Sequence, residues 1–125
     1  MSPQSDFPLI FDQLKSILKP YAKNLTITAD TATGYSLDGP YSEKYKKAVF
    51  FGAAQIQKNY VSFYLMPVYI FPELLKGISP ELKKHMQGKS CFNFKKAEPD
   101  LFKELKQLTR LSVEHMRQAK SKGAI

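Results

Sequence analysis

The fold follows from the stretch YKKAVFFGAAQIQKNYVSFYLMPVYIF, residues Tyr45–Phe71. Two runs rich in Val, Ile, Phe and Tyr flank the polar break Gln57–Asn59, and such residues suit a pleated, half-buried surface. Asn tolerates turn geometry, and Met66-Pro67 either ends regular pairing or marks a sheet edge, because proline has no N–H to donate. The stretch therefore predicts a β-hairpin.

The second arm of this hairpin has two chemically different faces. Side chains of successive strand residues point to opposite sides. One face carries Val61, Phe63 and Leu65, and the other carries Tyr60, Ser62, Tyr64 and Met66. We expect the first face to be core and the second, aromatic and hydroxylic, to be open.

Two terminal helices are expected to cover the core face. Spacings of three and four define apolar stripes over residues 6–19 and 98–120. The stripes are Phe7, Ile10, Phe11, Leu14, Ile17, Leu18 and Tyr21 in the first helix, and Leu101, Leu105, Leu108, Ser112, Met116 and Ala119 in the second. The sequence thus predicts one α+β domain over residues 1–125, an antiparallel β-sheet with the N- and C-terminal helices packed on one face.

Further strands are predicted on either side of the hairpin. Leu25, Ile27 and Ala29 alternate with Thr26 and Thr28, which is typical of a strand with one buried apolar face. A short strand is expected at 34–37, ended by a turn at Asp38-Gly39-Pro40 and followed by a basic loop. Short helices at 71–77 and 79–88 precede a strand at 89–95, in which Phe92 and Phe94 face the core while Cys91 and Asn93 face away.

Strand parity brings the polar and aromatic positions to one side of the sheet. In three separate strands apolar residues alternate with polar or aromatic ones, whereas a sheet buried on both faces would read as continuous aliphatic runs. The predicted open binding face consists of Thr26, Thr28, Tyr60, Ser62, Tyr64, Cys91 and Asn93. The alternative is that Tyr64 and Met66 only cover a loop formed by residues 31–46.

A formal charge of +8 and a pI near 9.5 favour anionic partners in general. Lys44, Lys46 and Lys47 alternate with Tyr41 and Tyr45, a pattern that suits either stacking on single-stranded nucleic acid or a solvated basic rim. The C-terminal helix also has a basic side, diluted by a glutamate. We favour solvated surfaces in both places, so any nucleic-acid binding is expected to be weak and non-specific.

The chain offers little catalytic or metal-binding chemistry. Its single cysteine, Cys91, allows no internal disulfide, and His85 and His115 lie far apart with no metal-ligand motif. A nucleophilic pair of Cys91 with a histidine is the enzymatic alternative, but an inert strand cysteine is the simpler interpretation. We expect no cofactor. The sequence shows neither a secretory signal nor a bilayer-spanning apolar run, which predicts a cytoplasmic protein without membrane association.

Three blocks resemble a known family: FGAA at Phe51–Ala54, KNYVSFYLMP at Lys58–Pro67 and GKSCFNF at Gly88–Phe94. They are similar to DUF1801, or YdhG-like, domains, and the resemblance covers most of the chain. It implies a compact α+β fold like that of frataxin, with terminal helices on one sheet face, and a family whose members mostly have no established activity.

The same resemblance implies an alternative function, the delivery of iron for iron–sulfur cluster or haem assembly. This chain has Tyr60 where many members have His, and the first helix offers only Asp6 and Asp12 as carboxylate ligands. We therefore expect a non-catalytic binding module that uses the open sheet face to bind a small molecule or a protein.

Overall fold

The computed structural model describes residues 6–123. The described part of the chain starts with helix α1 (Phe7–Leu18) and a 3-10 turn (Lys19–Tyr21), and continues into strands β1 (Thr26–Asp30), β2 (Gly34–Ser42), β3 (Lys47–Ile56) and β4 (Val61–Leu65). Helix α2 (Met66–Ile70), a 3-10 turn (Pro72–Gly77) and helix α3 (Pro80–Lys83) lead to strand β5 (Cys91–Phe94) and helix α4 (Pro99–Ser121). All strand pairs are antiparallel, in the order β1-β2-β3-β4-β5.

The hydrophobic core lies between the two long helices and one face of this sheet. Val61, Phe63 and Leu65 are fully buried, and α1 contacts β3, β4 and α4. The predicted apolar stripes of α1 and α4 are buried, apart from Tyr21, which is half-buried. The predicted α+β fold, with terminal helices on one face of an antiparallel sheet, is confirmed.

The predicted hairpin is formed by β3 and β4. Its register pairs Ala53 with Tyr64 and Gln55 with Ser62. The second arm ends at Leu65, however, and Met66 begins α2 instead of extending the open strand face. Pro67 explains the change, because its fixed φ and missing N–H are tolerated in the first turn of a helix.

The predicted buried face of β1 is wrong. Ile27 is 48% exposed although it pairs with the fully buried Leu37. The strand lies at the sheet edge, where neither long helix covers it. An ion pair of 3.0 Å between Lys15 Nζ and Asp30 Oδ1 connects it to α1. A register shift between Ile27 and Ala29 moves Ala29 to the opposite face from the one predicted.

The turn predicted at Asp38-Gly39-Pro40 is also wrong, because β2 runs through it to Ser42. The register with β3 shifts between Asp38 and Tyr41, so the irregular residues are accommodated as a bulge. A Cβ at Gly39 would lie 2.8 Å from Met116 Sδ, the flexible end of a side chain, and 3.1 Å from the Val49 carbonyl oxygen, so space at this position is tight. With residues 34–42 in the sheet, the interpretation of Tyr64 and Met66 as a cover over a loop at 31–46 is wrong.

The two edges of the sheet differ in how they are protected. The Gln87 N–H donates to the Cys91 carbonyl at 2.9 Å and the Asn93 N–H to the His85 carbonyl at 2.8 Å, so residues 85–87 pair with the outer edge of β5. Within residues 6–123 no strand pairs with the outer edge of β1. The predicted orientation of β5 is confirmed, with Phe92 and Phe94 fully buried.

Candidate functional site

The face of the sheet turned away from the helices carries a row of residues that crosses all five strands. Strand pairing joins Ala29 to Ser36, Ser36 to Ala53, Ala53 to Tyr64 and Tyr64 to Cys91. These five residues are half-buried, and we call this side of the sheet the open face. The register thus forms a connected surface that includes two of the predicted residues, Tyr64 and Cys91.

The centre of the open face is a trough with a floor of small side chains. Ser36 and Ala53 form the floor, with Phe50 and Tyr64 beside them, and the depression has a volume of about 380 Å³. A solvated sheet face ordinarily carries longer polar side chains, which would fill this space. The small residues leave room for an atom group from outside the chain to approach the sheet.

Beside the trough, β4 and β5 hold a polar cluster centred on Asn93. The Ser62 hydroxyl donates to Asn93 Oδ1 at 2.6 Å, and the Cys91 thiol donates to the same oxygen at 3.3 Å. Asn93 Nδ2 donates to Gln87 Oε1 at 3.0 Å. With its amide fixed by three bonds, Asn93 has one orientation, and Ser62 beneath it is only 1% exposed.

His85 anchors this cluster from the edge of the sheet. Its Nδ1 lies 2.8 Å from the Asn93 carbonyl oxygen, and its Nε2 lies 2.9 Å from Glu98 Oε2. The ring also stacks on Phe94, with centroids 4.6 Å apart. Both nitrogens are engaged with acceptors, so the imidazole connects β5 to the start of α4 and offers no free nitrogen to the Cys91 thiol.

The surroundings of Cys91 favour its thiol form. Burial raises the pKa of this thiol, and its polar interactions with Ser62 and Tyr64 offset only part of that rise. A nucleophilic cysteine needs the opposite change, a pKa lowered by a cation, a helix N-terminus or a paired histidine. The thiol is therefore suited to a packing and hydrogen-bonding role at the edge of the trough.

The other predicted site residues lie around this centre. Thr26 and Thr28 occupy β1, three strands and about 14 Å from β4. Tyr60 precedes β4 in the turn and borders a polar depression of about 420 Å³ with Asn59, Gln87 and Lys95. Asn93 and His85 line the same depression as Tyr60. The structure thus brings together Ser62, Tyr64, Cys91 and Asn93 with Tyr60 beside them, whereas both threonines lie on the edge strand.

The predicted basic rim lies at the β2–β3 turn. Lys44, Lys46 and Lys47 are exposed there, next to the end of β3 that does not pair with β4. Lys44 Nζ lies 5.5 Å from the centre of the Tyr45 ring, so one of the predicted aromatic and cationic pairs forms. The rim lies at the opposite end of β3 from the Asn93 cluster.

Residues 6–123 contain neither a cluster of metal-binding side chains nor a membrane-spanning helix. In this range, no three His, Cys, Asp or Glu side chains come close enough together to hold a metal ion. Of the helices described, none combines the length and the apolarity that crossing a bilayer requires.

Several residues of the open face were missed from the sequence. Ser36, Phe50, Ala53 and Gln55 belong to β2 and the first hairpin arm, and Gln57 donates from its Nε2 to the Tyr64 phenol oxygen at 3.3 Å. Alternation along the first arm could have found Ala53 and Gln55. The bulge between Phe50 and Gly52 hides the parity of Phe50, because it depends on the register of β2.

Comparisons with known proteins add no relative to this description: no protein-family model, no curated protein and no solved structure matches the chain.

Proposed function

We propose that the protein is a non-catalytic binding module of the cytoplasm, and that its partner, a small molecule or a protein segment, lies across the open face. The observation that carries the proposal is the trough of about 380 Å³ over Ser36 and Ala53. Packing against the helices does not explain why the side chains there are small, because the helices lie on the other side of the sheet.

The chemistry of the trough favours a flat partner that is partly apolar. Tyr64 and Phe50 provide aromatic surface, and Tyr64 adds a phenol that is oriented by Gln57. Tyrosine combines a large rigid apolar area with a hydrogen-bonding tip, which explains its enrichment at binding surfaces. The Asn93 cluster forms one end of the surface. Its side chains are already fixed by hydrogen bonds, so a partner that binds there causes little further loss of side-chain conformational entropy.

The resemblance to DUF1801, or YdhG-like, domains belongs to the same proposal. Its support is the three sequence blocks and the order of elements, in which a helix precedes an antiparallel sheet and a long helix follows it. Under this assignment the open face corresponds to the sheet face that a frataxin-like fold leaves uncovered.

A fragment screen followed by amide NMR tests the proposal. We expect planar aromatic and heteroaromatic fragments to shift the backbone amides of Ser36, Ala53 and Tyr64. Ala53→Arg fills the trough with a side chain that reaches solvent, and should abolish those shifts. Gln107→Arg adds the same charge on the exposed side of α4 and should leave them unchanged.

Two outcomes would contradict the proposal. One is that fragments shift only amides of the helices and of residues whose side chains face the helices. The other is that Ala53→Arg folds, as an unchanged thermal transition would show, and still binds the fragments as the wild-type protein does. A separate titration with ferrous iron examines the iron-delivery alternative. Saturable iron binding that survives Ala53→Arg would favour that alternative over the binding module.

A further inference from the structure

A second depression lies on the other side of the sheet, between α4 and the chain segment that leads into β1. Buried Phe51 and Met116 form its floor, and Tyr21 and Leu25 form one wall. Its volume is about 210 Å³, and most of its lining is apolar. It is separate from the trough, because the sheet itself lies between them.

Helix α4 gives this depression an apolar end and a basic end. Val113, Met116, Arg117 and Lys120 all line it, and their spacing of three, four and seven residues places them on one side of the helix. The two apolar side chains come first along the helix and the two cations follow. A ligand lying along α4 would therefore meet apolar contacts at one end and positive charge at the other.

The two cations have no acidic partner among the described residues. Ion pairs in residues 6–123 join Lys15 to Asp30, His85 to Glu98 and Arg110 to Glu114. Glu114 lies within the same stretch of α4, three residues before Arg117, but its carboxylate is engaged at 3.3 Å with Arg110. Lys120 Nζ donates to the Tyr41 carbonyl at 2.6 Å, which leaves its charge uncompensated.

Basic residues near a helix C-terminus also interact favourably with the helix dipole. The dipole, however, corresponds to only about half a negative charge at that end. Arg117 and Lys120 together carry more positive charge than this, so a net positive field remains at the pocket mouth. An anion is attracted there, and an apolar lining selects one that also has an apolar body.

We propose that this pocket binds a small amphipathic carboxylate, such as an arylalkanoate. Its apolar body packs on Leu25, Val113 and Met116, and its carboxylate accepts hydrogen bonds from Arg117 and Lys120. A cavity of about 150 Å³ holds benzene, so 210 Å³ accommodates one ring and a short linker. The arginine fork matches both carboxylate oxygens and would match an inorganic oxyanion equally well. The apolar lining is therefore what favours a carboxylate that has an apolar body.

The test is an amide NMR titration with 3-phenylpropanoate, repeated with its neutral amide and with 3-phenylpropylamine. We expect the carboxylate to bind at millimolar concentration or below and to shift amides at 21–25 and 113–120, the amide to bind more weakly, and the amine weakest. Arg117→Gln should weaken carboxylate binding about fivefold, the size expected for an exposed charge pair. Lys106→Gln, which removes one charge from an exposed site on the same helix, should not.

A second variant examines the apolar end. Val113 is half-buried, so Val113→Phe can extend into the cavity, and it should abolish binding while the thermal transition is retained. Equal binding of the carboxylate and the amide, shifts confined to other surfaces, or no binding at millimolar concentrations would overturn the proposal. Inorganic phosphate that binds as tightly as the carboxylate would also overturn it, because the apolar lining would then be irrelevant.

Discussion

The packing of α1 on the sheet depends on the absence of a side chain at Gly52, and Gly52→Ala tests this directly. A Cβ at this position would lie 2.8 Å from the Tyr64 carbonyl oxygen, 3.3 Å from Leu18 Cδ2 and 3.5 Å from Leu65 Cδ1. The closest of these atoms is backbone, so the contact cannot be relieved by a rotamer change. The backbone of β4 must therefore shift relative to β3, and the Leu18 side chain of α1 must also yield slightly.

The expected loss follows from comparing two opposing effects. Overpacking a core costs about 1–3 kcal/mol, whereas replacing glycine by alanine stabilises by about 0.4–1 kcal/mol where the backbone permits it, by restricting the unfolded chain. At Gly52 the clash outweighs the gain, and we expect the free energy of unfolding to fall by about 1–2 kcal/mol. A fall of about 4 °C in Tm should accompany each kcal/mol.

Urea denaturation followed by far-UV circular dichroism is the suitable assay, because the chain has no tryptophan to report by fluorescence. The matched control is Gly77→Ala, where a Cβ would meet nothing within 4 Å, and it should be neutral or slightly stabilising. Gly39→Ala should fall between them, since its nearest obstacle is the flexible end of Met116. A Gly52→Ala protein as stable as wild type, with an unchanged urea dependence, would refute the reasoning.

Three further predictions concern the core, the thiol and the charge. Leu14→Ala and Leu105→Ala each remove a fully buried side chain, so each should lower the free energy of unfolding by about 2–5 kcal/mol in the same urea assay. A loss under about half a kcal/mol would mean that the buried stripe is misassigned. Burial raises the pKa of Cys91, so iodoacetamide should alkylate this thiol more slowly at neutral pH than it alkylates an unstructured peptide thiol. The alkylation rate of the protein should still increase with pH where the rate of the peptide has become constant. Alkylation kinetics equal to those of the peptide would contradict this prediction. Binding to single-stranded DNA, measured by fluorescence anisotropy, should weaken steeply with added salt and be indifferent to sequence, and tight selective binding at physiological salt would show a dedicated nucleic-acid site.

The sequence predicts best the elements whose surroundings stay constant along their length. Helix α1 packs on β3 and β4, and α4 packs on α1 and on the short helical segments. Each long helix thus keeps one side buried, and a 3.6-residue pattern records that burial, as Leu14 and Leu105 illustrate. Strand β5 behaves in the same way with period two, because Phe92 and Phe94 both meet the core.

The errors concern strands whose burial is decided by distant partners. Ile27 belongs to an alternating apolar pattern, but its exposure depends on how far the helices extend across the sheet, which no local pattern records. The bulge at Gly39-Pro40 likewise depends on pairing with β3 and on the approach of Met116 from α4. Local turn propensity therefore gave the wrong answer there, since tertiary pairing outweighed it.

The candidate site was found only in part for a related reason. Tyr64, Cys91 and Asn93 are chemically conspicuous, and parity alone placed them on one face. Ser36 and Ala53 are small residues that fit loops, strands and cores alike, so their significance becomes visible only when the sheet places them side by side. The pocket beside Arg117 was missed because its walls come from the loop at 21–25, β2, β3 and α4, which are remote in sequence.

Gly52 and Ala53 are both small, but the reasons for their small size differ between the two faces of β3. The residues are adjacent, point to opposite sides and are both small, but only Gly52 has a structural cause, since Tyr64, Leu18 and Leu65 occupy the space around its Cα. Ala53 faces the trough, where nothing from the helices limits its size. Enlarging Gly52 should therefore lower stability, whereas enlarging Ala53 should spare stability and remove binding. Ala53 is thus small at a position where helix packing does not require it, and this contrast within one strand is the strongest argument for the binding surface proposed above.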